Sequence, residues 1–341
     1  MKVFKIIASL LFICSLQHCT VQKEMPFHAY SDTNETIIYA DSICYSRGIA
    51  IHKNELITAN SNGKVYRYIL KSKKKQEYLL NANLEELRDI SVTKNCIYAL
   101  QSGSTGKLIE ISKRKKTRII EYDFWKGVFL DGMDFFGKTG FMMGDPVNEQ
   151  FSLYHSKDGG KNWTVCEGKI TAQKGEAGYA ASGTNVQVLN DSCYLFVSGG
   201  SINRLHRSRD SGKTWTSTIV PFNTGEGIGA FSICFKNQLE GIAVGGDYQK
   251  PLIKEKTIFK TGDGGLTWTE IKSGNRGFRS CVYLKNEIYY TCGTNGIDYS
   301  KDGGQTWFNF INGNFFAITS DDDFLYASCQ KSTVLKIKLI K

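Results

Sequence analysis

Ser156-Lys-Asp158-Gly-Gly160-Lys-Asn-Trp163 is the first of four copies of one pattern in this chain. The others are Ser208-Arg-Asp210-Ser-Gly212-Lys-Thr-Trp215, Thr261-Gly-Asp263-Gly-Gly265-Leu-Thr-Trp268 and Ser300-Lys-Asp302-Gly-Gly304-Gln-Thr-Trp307. Each obeys Ser/Thr-x-Asp-x-Gly-x-x-Trp, and four of the five tryptophans fall in it. An aspartate at the head of a tight turn accepts backbone N–H bonds, and a glycine supplies the positive φ that a hairpin turn needs. The tryptophan then covers the hairpin base with a large apolar face. The Asp-Gly-Gly segments resemble a calcium loop, but each copy offers one carboxylate where calcium takes six or more oxygens. Asp158, Trp163, Asp210, Trp215, Asp263, Trp268, Asp302 and Trp307 are therefore read as fold elements, and no metal is expected.

Working outward, each copy ends a unit of fixed order: a Gly-rich lead-in, an apolar strand, a second strand, then a hairpin. One such unit is Gly229-Ala-Phe-Ser-Ile-Cys-Phe235, then Glu240-Gly-Ile-Ala-Val244, then Thr257-Ile-Phe-Lys260 and the turn. Two earlier units keep the order without the motif, opening at Arg47-Gly-Ile-Ala-Ile51 and Asp89-Ile-Ser-Val92, with basic turns at residues 71–75 and 113–118 in its place. Those turns should point to the same rim as the motif. Solvated hairpin tips are the plain reading of them, contact with acidic lipid or protein the functional one. A last unit, from Phe315-Phe-Ala-Ile318 to Val334-Leu-Lys-Ile-Lys-Leu339, stops one strand short, and Thr36-Ile-Ile-Tyr-Ala40 can supply it. The prediction is an all-β propeller of seven four-stranded antiparallel blades, closed by N- and C-terminal strands that protect its edges.

Composition agrees with β structure: 34 Gly, only 4 Pro and 12% aromatic residues. The formal charge of +10 falls to +8 once Lys2 and Lys5 leave with the segment discussed next. That excess reads as scattered, where a nucleic-acid binder would concentrate it on one face among aromatics, so no nucleic acid is expected. Met1-Lys-Val-Phe-Lys5 followed by the apolar run Ile6 to Leu16 reads as a secretory leader, too short to span a bilayer. It ends Leu16-Gln17-His18-Cys19, which resembles the bacterial lipobox, with His18 departing from the small residue preferred there. The expected division is a leader at 1–18, a lipidated N-terminus and tether at 19–34 with Cys19 as the lipid site, and one propeller domain at 35–341. The protein is then exported, monomeric and lipid-anchored at a bacterial outer membrane or periplasm-facing membrane. Cys44, Cys96, Cys166, Cys193, Cys234, Cys281, Cys292 and Cys329 sit mostly in apolar runs and read as small buried hydrophobes, with no CxxC pair for zinc.

The four motif copies match the Asp box, or BNR repeat. With Gly144-Asp145-Pro146, Gly175-Glu-Ala-Gly178 and Gly245-Gly-Asp-Tyr-Gln-Lys-Pro251, the chain after residue 120 resembles the propellers related to the photosystem II stability and assembly factor. That resemblance implies binding of a partner protein without chemistry. Sialidases and glycan-binding propellers share the box. A sialidase needs an early Phe/Tyr-Arg-Ile-Pro motif, three arginines, a Tyr–Glu nucleophile pair and an Asp acid, and no Arg-Ile-Pro occurs here.

The lead-ins still place charges where a central channel opens. Arg47, Arg88 and Arg279 are expected as one wall of its mouth, and Asp131, Asp134, Glu176 and Glu226 as the other, with Tyr179 near Glu176. Arginine forks suit carboxylate or phosphate groups of a ligand or partner. The alternative is that these charges pair across the channel and stabilise the ring. Gly225-Glu-Gly227-Ile-Gly-Ala230 fits a dinucleotide fingerprint, but a strand follows where a helix is required. The five histidines show no ligand spacing, and no G-x-S-x-G elbow occurs. The function expected is a non-catalytic protein- or glycan-binding module without cofactor, with a sialidase-type glycoside hydrolase as the alternative.

Overall fold

The structure, a computed structural model, describes residues 34–78, 80 and 84–340. The leader, Cys19 and residues 20–33 of the tether lie outside the described residues. Seven antiparallel blades follow one another round a ring. Blade 1 comprises Ser46–His52, Glu55–Asn60, Val65–Ile69 and Lys74–Glu77, and blade 2 comprises Leu87–Val92, Cys96–Gln101, Lys107–Ser112 and Thr117–Ile120. Blades 3 to 6 have inner strands Leu130–Phe136, Val186–Val188, Ile228–Phe235 and Cys281–Lys285. Blade 7 runs Ile318–Ser320, Phe324–Ser328 and Thr333–Lys338, and its outer strand is Glu35–Ile38, in register Glu35 opposite Lys336 and Ile38 opposite Thr333. The closing strand is thus the one expected, beginning one residue and ending two residues earlier. Blades 4 and 5 are fused at a single pair, Gly199 with Gly229.

Strand alternation sorts the connections between two faces. The inner strand of every blade starts on what we term the upper face. The turns between inner and second strand, and between third and outer strand, lie on the lower face, which carries all four Asp boxes. In the first box Gly160 N donates to Ser156 Oγ (2.9 Å), while Lys161 N and Asn162 N donate to Asp158 Oδ1 (3.0 and 3.1 Å). The other three boxes repeat these bonds through Asp210, Asp263 and Asp302. Hydrogen bonds from the Thr214 and Thr267 side chains and from backbone amides hold Asp210 and Asp263 at about 2. The carboxylates are consumed inside their own turns.

Apolar strand faces pack blade on blade. Tyr98 and Leu100 of blade 2 share a cluster with Met133, Met142 and Trp163 of blade 3, and Ile242 and Val244 of blade 5 share one with Tyr289 and Trp307 of blade 6. Trp163 and Trp307 are fully buried and donate Nε1 to Gly160 O (3.0 Å) and Gly304 O (3.2 Å). Trp215 and Trp268 are half-buried, and their Nε1 atoms find no acceptor. The eight described cysteines carry free thiols, buried except for half-buried Cys234.

The four boxes therefore differ in weight. Trp307→Ala is expected to cost about 3–5 kcal/mol in urea unfolding. Trp268→Ala, which loses a partly solvated ring and an unsatisfied donor, should cost clearly less. Equal losses would mean that burial does not set the ranking.

Candidate functional site

On the upper face, residues 166–185 connect blade 3 to blade 4, where the equivalent connection from blade 6 to blade 7 is only 312–317. Part of this segment, 178–184, crosses the mouth of the central channel and touches five other blades. Ala181 O accepts from Arg47 of blade 1 (3.2 Å) and Ala180 O from Arg88 of blade 2 (3.4 Å). Gly178 N donates to Asp145 Oδ1 of blade 3 (2.9 Å). Thr184 Oγ1 bonds Ser232 Oγ of blade 5 (2.6 Å), and Ser182 Oγ donates to Ser280 O beside blade 6 (2.8 Å). The segment is a plug. Its small residues are required by space: a Cβ on Gly178 would sit 2.6 Å from the Asp131 carboxyl carbon, and one on Gly183, at φ +72°, would overlap Asp89 Oδ1.

The expected open, two-walled mouth is therefore replaced by a sealed one, and the eight residues assigned to it separate into groups. Arg47 and Arg88 lie together at the edge of the plug. Arg47 lies over both rings of the Tyr45–Phe316 pair (5.5 and 5.6 Å), and Arg88 lies over Phe129 (5.5 Å) and pairs with Glu86 (2.8 Å). Burial, and then the neighbouring Arg88 charge, lower the Arg47 pKa. Tyr179 is part of the plug, stacked on Phe231 at 4.4 Å, with its hydroxyl donating to Ile228 O (3.3 Å). Glu226 is exposed on the lead-in to blade 5.

Arg279 does not join the other arginines. It is fully buried in blade 6, where Nε donates to Asp298 Oδ2 (3.0 Å), Nη2 pairs with the same carboxylate and Nη1 donates to Asn295 Oδ1 (2.6 Å). Glu176 turns into blade 4. Burial alone would raise its pKa, but hydrogen bonds from His206, Arg204 (2.5 and 2.8 Å) and Ser198 (2.5 Å) hold it at about 2. Desolvation nevertheless pulls buried His206 below the ordinary imidazole value, against the hydrogen bond to Glu176 and with the nearby Arg204 charge adding to it. Asp134 accepts from Val188 N of the next blade (2.7 Å), and burial pushes it to about 6.

Asp131 is buried beneath Gly178, and neither carboxyl oxygen has a donor. Burial, and then the facing Asp145, push its pKa well above the carboxylate range, against the pull of Arg88. Asp145 itself is raised by burial to about 6. Two carboxyls facing each other without a cation between them hold at least one proton. Asp89 is the further residue that spacing did not single out: its Oδ2 accepts from Met133 N (2.7 Å), and burial raises it to about 7. The long connection and the small-residue run Gly178-Tyr-Ala-Ala-Ser-Gly183 were the available signals for the plug.

The chain matches no family model and no curated protein sequence. Among solved structures it resembles YCF48 bound to D1 peptide, with 14% identity, 92% of this chain and 99% of that one covered, and a TM-score of 0.64. It also resembles a catalytically inactive variant of virginiamycin B lyase from Staphylococcus aureus with quinupristin (11% identity, 90% and 99% covered, TM-score 0.67). A third is U3-55K (9% identity, 91% and 99% covered, TM-score 0.65). Likeness at such identities concerns the propeller fold alone.

A carboxyl whose pKa is raised by folding stabilises the chain at low pH, and that contribution is lost as pH rises through the folded value. His206 acts in the opposite sense below its unfolded value, so variants are compared rather than single profiles. Relative to the native chain, Asp131→Asn is expected to gain thermal stability steadily from pH 5 to pH 8. A gap independent of pH would show that Asp131 is not a proton carrier.

Proposed function

We propose that this chain is a non-catalytic binding propeller, exported and held at a bacterial membrane through a lipid on Cys19, that recognises a protein partner with its upper face. The observation carrying this reading is the plug. With the mouth filled, the upper face offers a broad surface in place of a cleft, and Arg47 and Arg88 stand at its centre among Tyr45, Phe129 and Phe316. Arginine and aromatic side chains dominate the energetics of protein interfaces. The connection at 248–256 adds exposed Tyr248, Leu252 and Ile253 to the same face. That a propeller of like fold is described as bound to the D1 peptide supports a peptide or protein ligand over a small molecule.

The glycoside hydrolase alternative needs an acid and a nucleophile converging beside the arginines. Glu176 is committed to Arg204, Tyr179 to the plug and Arg279 to Asp298, so no observation favours it. A glycan is the other ligand class for this face.

A chain starting at Thr20 contains every strand of the ring and serves as bait in membrane extract of the source organism. A discrete protein retained by the native chain and reduced about tenfold by Arg47→Ala with Arg88→Ala is expected, tenfold corresponding to about 1.4 kcal/mol. Equal retention by both baits, with melting temperatures matched, removes the arginine edge as the site, and retention by neither moves the question to a glycan array. For the anchor, Cys19→Ser is expected to shift the full chain from the membrane to the soluble fraction after a high-salt wash. An unchanged distribution contradicts lipidation.

A further inference from the structure

Folding gathers charge that looked scattered along the chain. Exposed Lys53, Lys71, Lys74, Lys113, Arg114 and Lys116 all sit on or beside the lower-face turns of blades 1 and 2, and none forms an ion pair among the described residues. The acids near them are already engaged. Glu35 pairs with Lys73 (2.7 Å) and Lys336 (3.4 Å), Glu55 with Arg67 (3.1 Å) and Lys115 (3.3 Å), and Glu110 with Arg118 (2.5 Å).

The two turns form one surface. The Lys115–Glu55 pair spans blades 2 and 1, and Lys53 and Lys113 approach His52 together, adding to the burial that lowers its pKa. Tyr98 of blade 2 donates to Gly159 O in the first Asp box (2.7 Å), which continues the row to Lys138 and Lys161 of blade 3. The acidic turn at 321–323 bounds it on blade 7, where Asp322 pairs with Lys285 and Asp321 accepts from Tyr326 (2.7 Å). Lys53, Lys73 and Lys115 occupy left-handed backbone (φ 57°, 54° and 60°), where glycine or asparagine is the easier choice. Charge is kept at these tips in spite of the conformation.

We propose that this basic rim docks on a membrane surface carrying anionic lipid headgroups. Convex lysine tips, with Phe136 as the one large exposed apolar side chain at these turns among the described residues, suit a diffuse layer of negative charge. A protein partner would call for a buried apolar centre, which the rim lacks. The closing strand enters from the same face: Glu35 at its start is held by Lys73 of the blade 1 turn. Fully extended, residues 20–34 reach at most about 50 Å. A lipid on Cys19 therefore keeps the lower face within reach of the bilayer, an argument that rests on the anchor reading above. The upper face is then presented away from the membrane.

The test uses the chain starting at Thr20, whose binding is independent of Cys19 acylation. It is floated with phosphatidylcholine vesicles, with or without about 30% phosphatidylglycerol, at about 50 and 200 mM salt. Binding is expected only with the anionic lipid and weaker at the higher salt. It should fall about tenfold in a chain carrying Lys71→Glu, Lys74→Glu, Lys113→Glu and Lys116→Glu, and survive in one carrying Lys250→Glu, Lys254→Glu and Lys256→Glu on the upper face. Equal binding to neutral vesicles, binding indifferent to the rim substitutions, or capture by an acidic polymer with no vesicle binding overturns the proposal. The native chain's lipid and salt dependence decides the matter even if the substituted chains unfold. Failure of the anchor reading shows separately, as an unchanged distribution of Cys19→Ser.

Discussion

A ring of blades leaves each inner strand with an edge of N–H and C=O groups that no further strand can pair, and burying such an edge unsatisfied is costly. This protein answers with side chains handed from one blade to the next. Asp89 takes Met133 N, Asp134 takes Val188 N, Gln187 brackets Phe235 through both its N and its O, and Ser232 takes Val282 N. Buried carboxyls are the consequence, and burial raises their pKa values against the pull of the backbone bonds they accept. Perturbed titration is a common mark of catalytic groups, yet at Asp89 and Asp134 burial beside a neighbouring blade is enough to produce it.

The plug extends the same solution to the channel mouth. Thr184 O accepts from Ile233 N (2.8 Å), so the segment behaves locally as a partner for an inner strand. Its carbonyls at Ala180 and Ala181 then draw Arg47 and Arg88 inward. The arginine pair consequently combines two roles, fastening the plug and presenting charge at the surface, and both follow from its position between ring and solvent.

How much of this was legible in the sequence depended on the length scale of the signal. The blades were readable because a hydrophobic period of two and a turn motif recur at regular distance, and Glu35–Ile38 because the last unit lacked a strand. The destination of a lead-in side chain was not readable. Arg47 and Arg279 both open an inner strand, yet Asp298, lying across blade 6, takes Arg279 out of the mouth. That pairing depends on register between strands, which no local pattern encodes. The plug escaped for a similar reason: small residues in a connection signal close approach without saying to what. Nor did the sequence, read linearly, show that turns from separate blades would merge into one basic rim.

The pairing of Glu35 with Lys336 joins residues 301 positions apart. During synthesis the closing strand emerges before the other described strands of the ring and its partner after them, so a nascent chain carries an orphan β-edge while the blades between are made. The strand suits that wait: it is four residues long, begins with a glutamate and buries fully only Ile37. Short, charged edges are poor templates for mispairing. Closure is also all-or-none, because a truncated ring exposes two edges at once. Quality control of the ring is thereby placed on its last strand, Thr333–Lys338, whose loss would leave blades 1 to 6 formed and the circle open at blade 7.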